Sequence, residues 1–244
     1  MGGLKAGDLK TKGLIESLHK DNQAMHIHPE YIDQSIHDKQ RIVILGDSDT
    51  TATLGAMVAH VLKYWNRSFG YITAFPGLTS VMEWQGIPMV LFQADVHAFC
   101  EWPSSASRFD HQPEFLAYNP HIAVITSLPN MAFEDAYEVE ELMDAFNELA
   151  NSLPKAGVLI YNADIPAIRQ IGEKVRIDIK SIPYRAHVTK INNKKTYLAT
   201  SGGDILVTNP NKVTLEAIAG AFSLLKEVAV KEKQFYEAIS KFTD

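Results

Sequence analysis

The sequence predicts an α/β fold: a mostly parallel sheet flanked by helices, with a small antiparallel β appendage. Three observations carry that expectation. A short apolar run, Arg41–Leu45, passes through a tight turn into a segment with helical periodicity. Four later runs of four or five residues are apolar nearly throughout, as strands covered on both faces are. After Lys180 the texture changes to short alternating segments separated by Asn-Asn and Gly-Gly, the pattern of an antiparallel meander.

Residues 1–33 offer one candidate helix (Lys10–Lys20) and one short candidate strand (Ala24–Ile27), too little for an independent core. Arg41–Leu45, rich in β-branched residues, is the first strand. Leu54, Met57, Val58, Val61 and Leu62 then recur at helical spacing, giving a helix from about Thr51 to Trp65 capped by the Asp/Thr cluster before it. Further strands are expected at Tyr71–Ala74, Pro88–Phe92, Ile122–Thr126 and Val158–Tyr161. Between the last two, Val139, Leu142, Met143, Phe146 and Leu149 mark one face of a helix over Ala136–Leu153, with acids opposite. The meander spans Lys180–Val207. Helices at Thr214–Val228 and Lys231–Phe242 close the chain, the second with Phe235, Ile239 and Phe242 on one face. No internal repeat is present.

Composition narrows the function classes. The 244 residues are 46% hydrophobic and 21% charged, with net charge −6. That is an ordinary globular balance, and it lacks the basic footprint of a nucleic-acid-binding protein. Cys100 is the single cysteine, which rules out an intramolecular disulfide framework or a thiolate zinc cage and fits a reducing compartment. The opening MGGLKAGDLKTKGL has no apolar core of a secretory signal, and no stretch is long enough for a spanning helix. The expected location is cytoplasmic, with neither nucleic acid nor membrane as partner.

The turn after the first strand is the informative site. A phosphate-binding loop needs a glycine-rich turn whose N–H groups converge on phosphate, a Lys for the β/γ-phosphates and a Ser/Thr for Mg²⁺. Here the turn reads Gly46-Asp47-Ser48-Asp49-Thr50-Thr51-Ala52-Thr53. Gly46 and Thr51 occupy suitable places, but Thr50 stands at the lysine position and Asp49 at the preceding glycine. Two aspartates in such a loop repel a triphosphate. Taken alone, this is an Asp/Ser/Thr-capped helix start.

The surroundings carry a resemblance. RIVILGDSDTTATLGAMVAHVLKYWNR is similar to the Mur ligase segment V-x-G-(S/T)-x-G-K-(S/T)-(S/T)-T, which continues into a helix ending H-x-L-K. FLAYNPHIAVITS, from Phe115, resembles the family's F-L-x-Y-x-P-x-I-A-V-I-T-N. LPKAGVLIYNADIP, from Leu153, resembles its x-P-x-x-G-x-L-I-Y-N-A-D-D-P. The likeness covers roughly residues 29–242. It fits best the murein-recycling branch, which joins UDP-N-acetylmuramate to L-alanyl-γ-D-glutamyl-meso-diaminopimelate.

The resemblance implies a P-loop-like central ATPase domain of a three-domain ligase. Residues 1–33 would be a remnant or linker resembling the end of the N-terminal domain, and 34–244 the central domain, without the C-terminal domain. The family phosphorylates a substrate carboxylate with ATP, and an amine then attacks the acyl phosphate. Mg²⁺ and the loop lysine stabilise the transferring phosphoryl group. Four positions depart from that pattern. The loop lysine is Thr50. The E-x-D-E motif falls on Gln93-Ala94-Asp95-Val96. The D-H pair falls on Met131-Ala132. The G-x-H-N-x-x-N stretch falls on Asn211-Lys-Val-Thr-Leu-Glu-Ala217. Gly46, Ser48, Thr50 and Thr51 on the loop side, with Asn162 and Asp164 on the adenine side, are the candidate nucleotide-binding residues. No catalytic or metal-ligating residue is expected, ATP binding should be weak, and Mg²⁺ should play no part.

The leading expectation is therefore a catalytically degenerate Mur-ligase-like domain related to peptidoglycan metabolism and acting by binding. One alternative is an ATP-dependent acid–amino-acid (UDP-N-acetylmuramate–peptide) ligase component that still binds ATP. The other is an adenine-nucleotide-sensing module. Other clusters carry less. His26 and His28 share one side of a strand but lack a third ligand. His97, Cys100 and Glu101 are adjacent in sequence, unlike a Cys–His dyad. Trp84, Phe92, Phe99 and Trp102 read mainly as packing, although residues 97–103 form an insertion and are the best candidate for a protein-partner contact. The acids of Phe133–Glu148 read as a solvated helix face.

Overall fold

The computed structural model describes residues 36–72, 86–95, 114–128, 136–207 and 210–242. The expected Lys10–Lys20 helix, the Ala24–Ile27 strand, the 97–103 contact and the His97/Cys100/Glu101 cluster lie outside them. The predicted first strand is β1 (Gln40–Gly46), and its helix is α1 (Ser48–Tyr64). There follow β2 (Gly70–Ile72), β3 (Met89–Asp95), the short α2 (Glu114–Ala117), β4 (Ile122–Ile125), α3 (Ala136–Ser152) and β5 (Val158–Asn162). Next come α4 (Pro166–Lys174) and β6 (Lys180–Tyr184). The chain continues as β7 (Thr189–Asn192), β8 (Lys195–Thr200), β9 (Gly203–Val207), α5 (Lys212–Glu227) and α6 (Glu232–Ile239).

Strands β1 to β6 form one parallel sheet in the order β2-β3-β1-β4-β5-β6. Both faces are covered, which explains why its central strands are apolar without alternation. Ile42, Ile44, Leu91, Val124 and Ile160 point to one core, built with α1, α5 and α6. Val43, Leu45, Phe92, Ile125 and Leu159 point to the other, against α2, α3 and α4. Phe92 is fully buried there and stacks on Tyr118 with centroids 4.3 Å apart.

The appendage is smaller than expected. Residues 180–184 form the sixth parallel strand, and only β7–β8–β9 make the antiparallel sheet. The sequence pattern misleads because β6 is an edge strand, exposed at Lys180, Ser181 and Pro183, and so lacks the continuous apolar run of its neighbours. Helix α4 was not expected either. It supplies the crossover that a parallel β5–β6 pair requires, and it does so with only Ile168, Ile171 and Gly172 buried.

Candidate functional site

Ligands of open parallel sheets sit beyond the C-terminal ends of the strands, at the point where strand order reverses. In this sheet that point lies beside β1, and the two groups of candidate residues meet along the same edge. Gly46 ends β1, and Ser48, Thr50 and Thr51 open α1. Asn162 ends β5, with Asp164 two residues on. Strand β4 lies between them and links them. The Asp47 N–H donates to Ser127 Oγ at 2.9 Å, and the Asn162 amide donates to the Thr126 carbonyl at 3.1 Å.

Gly46 is required where it stands. A Cβ there would fall 2.0 Å from Thr126 Oγ1 and 2.6 Å from Ser127 Oγ. Beyond it, the first turn of α1 satisfies itself. Asp47 is the N-cap, its Oδ1 accepting the Thr50 N–H at 2.9 Å, one of the donors a helix N-terminus leaves free. The Thr50 hydroxyl donates to the same carboxylate, 2.7 Å from Oδ2. Thr50 is buried, so its side chain reaches back to Asp47 rather than out of the loop. Thr51 is fully buried. Its hydroxyl donates to the Asp47 carbonyl at 2.9 Å and accepts the Gln93 amide at 3.0 Å. A carboxylate thus occupies the anion position at this helix start, and an amide lies against the hydroxyl a metal would need. Asp49, exposed in the first turn, adds a second negative charge. These residues do not fit a Mg²⁺-triphosphate: the Asp47 carboxylate already takes the Thr50 N–H, the Gln93 amide already bonds the Thr51 hydroxyl, and residues 46–53 carry no cation.

On the β5 side, Asn162 is fully buried and its amide is engaged at both ends. Its Oδ1 accepts the Asp164 N–H at 3.0 Å, an Asx turn that fixes the start of the loop. Asp164 is partly exposed and accepts from Arg185 Nη1 at 2.7 Å and from the Ala186 N–H at 3.2 Å. Burial opposes its ionisation, but the Ala186 N–H and the Arg185 guanidinium outweigh that and hold its carboxyl below the usual range. Nearby, Tyr184 is buried, and among the described residues its hydroxyl has no hydrogen-bond partner. Its pKa is raised by burial first and by Glu216, Asp164 and Asp47 next. Sequence reasoning missed Ser127 and Arg185. Their one signal is position, each following the end of a parallel strand.

Three comparisons relate the chain to known proteins. The family model described as the Mur ligase middle domain matches residues 50–224. A curated relative, the UDP-N-acetylmuramate–L-alanine ligase of Arthrobacter sp. (strain FB24), is 36% identical over 62 residues, which make up 25% of this chain and 13% of that protein. Among solved structures, the UDP-N-acetylmuramate:L-alanyl-γ-D-glutamyl-meso-diaminopimelate ligase from Neisseria meningitides aligns with TM-score 0.65 at 17% identity, covering 88% of this chain and 70% of that one. A murein peptide ligase from Psychrobacter arcticus 273-4 aligns at TM-score 0.60 and 15% identity, covering 94% of this chain and 52% of that one. At these identities the structural likeness speaks to fold. The chain spans about half of the second ligase.

Proposed function

Because the chain belongs to the Mur ligase middle-domain family, we propose that it is a cytoplasmic component of peptidoglycan synthesis or recycling that acts by binding and does not turn over ATP. One observation supports this reading: Asp47, Thr50, Thr51 and Gln93 are hydrogen-bonded to one another at the start of α1, so a phosphate or metal there would have to displace those bonds. Phosphoryl transfer depends on cations placed where charge develops, and removing one such stabilising donor typically costs about 10²–10³ in rate. Here the loop lysine position holds a buried threonine bonded to a carboxylate. Any nucleotide that binds does so weakly and through its base, without help from Mg²⁺.

The test is phosphate release from ATP by the purified chain with Mg²⁺, UDP-N-acetylmuramate and the L-alanyl-γ-D-glutamyl-meso-diaminopimelate tripeptide. The expected result is no release above the protein-free rate. Turnover would establish instead the ATP-dependent acid–amino-acid ligase reading and end this one.

A further inference from the structure

We propose that the groove at the N-terminal ends of the parallel strands, at the opposite end from the phosphate loop, is a ligand site for an oxyanion: the carboxylate or phosphate group of a small molecule. The groove is an open cleft of about 520 Å³, a volume within the range of small-molecule sites. Among the described residues it is lined by the 37–40 segment entering β1, by His121 before β4, by the 154–158 segment entering β5, and by Glu227.

Lys39 is the anomaly that points to a ligand. It is only 8% exposed, a burial that lysine seldom reaches without a matched counter-charge. Its ion-pair partner is Asp38 at 3.4 Å, and Asp38 is itself 65% exposed, so water screens much of the attraction. Glu227, the other acid on the lining, is already taken: both its carboxylate oxygens accept from Lys180 Nζ at 2.8 Å. Among the described residues, the groove is thus lined by a largely buried lysine whose one ion-pair partner is a solvent-screened carboxylate.

His121 adds a neutral donor. Its Nδ1 accepts the Arg41 N–H at 3.1 Å, so the neutral ring carries its proton on Nε2. Burial, and then the Arg41 guanidinium, lower its pKa, which keeps that form at neutral pH. The wall is also braced. Arg41 donates to the carbonyls of Asn119, Ile36 and His37, fixing the segment that presents Lys39. On the other side Ala156 adopts a left-handed φ of 63°, with its N–H on the Asp178 carbonyl, and Lys155 beside it is exposed at the rim. A non-glycine residue is uncommon in that region. An ammonium, a fixed imidazole N–H and a second lysine at the rim, on a chain of net charge −6, suit one oxyanion.

The test uses the full chain with two probes, inorganic phosphate and succinate, and matched sodium chloride as control. One or both probes, at millimolar concentration, should raise the thermal midpoint and shift the resonances of the His121 ring and the 37–40 and 155–157 amides. Response to phosphate alone identifies a phosphorylated ligand, and response to succinate alone a carboxylate. Lys39→Met, which keeps the aliphatic stem, should weaken binding about tenfold or more, while Lys39→Arg should retain it. No response of the natural chain to either probe would overturn the proposal. So would a response that leaves the His121 resonances unmoved and persists in Lys39→Met. Resonance mapping in the natural chain decides the matter even if Lys39→Met does not fold. Shifts confined to residues 47–51 would instead put the anion on the phosphate loop and count against the closed-loop reading as well.

Discussion

Replacing Asp47 with alanine should destabilise the chain by about 2 kcal/mol, and the size of that loss can be built from two contacts. The first is the cap on α1, the Thr50 N–H to Asp47 Oδ1 bond at 2.9 Å, worth about 1 kcal/mol when an Asp N-cap becomes Ala. The second is the Thr50 hydroxyl, 2.7 Å from Oδ2 and buried, whose bond contributes about another 1 kcal/mol. For a chain of this length a loss of 2 kcal/mol lowers the thermal midpoint by roughly 4–8 °C. Asp47→Asn keeps an oxygen for the Thr50 N–H and gives up mainly the charge at the helix start, about 0.3–1 kcal/mol, so it should cost at most half as much. The assay is urea unfolding followed by circular dichroism, with slopes compared to confirm that the unfolded states match. An alanine variant as stable as the natural chain would refute the capping network. So would an asparagine variant as damaged as the alanine one.

Gly46→Ala should be far worse, above about 3 kcal/mol or preventing folding altogether, because its Cβ would meet Thr126 Oγ1 at 2.0 Å; soluble yield and thermal midpoint check it. Arg185→Ala frees Asp164 from the contact that helps lower its pKa. A lowered carboxylate stabilises above its unfolded pKa and loses that contribution as pH falls through its folded value. The deficit of Arg185→Ala should therefore be visible at pH 6, stay under about 1 kcal/mol because the pair is partly exposed, and shrink on acidification below 3.8; a deficit that grows with acid would contradict it. Thr50→Lys combined with Asp49→Gly should raise ATP affinity by calorimetry, and no gain would mean that the loop backbone no longer forms an anion cradle.

The central strands were legible because burial on both faces leaves an unbroken apolar run, as in Val43–Leu45 and Leu159–Tyr161. Strand β6 and helix α4 were not. Each lies at the sheet margin with few buried residues, so its pattern resembles that of a surface segment. The site divided in the same way. Gly46, Thr50 and Thr51 could be read from one continuous turn. Ser127 and Gln93 complete the network from 80 and 42 residues away, and local spacing carries no information about partners that only strand pairing brings together. The mismatch at Thr50 was visible as a missing lysine, but that its hydroxyl turns inward onto Asp47 depends on the fold.

The central claim is that the loop's own side chains hold the positions of the nucleotide phosphates and the metal. Calorimetric titration of the chain with ATP, in the presence and absence of Mg²⁺, tests it most directly. The account predicts weak binding or none, with an affinity that Mg²⁺ does not change. Tight binding that depends on Mg²⁺ would contradict it.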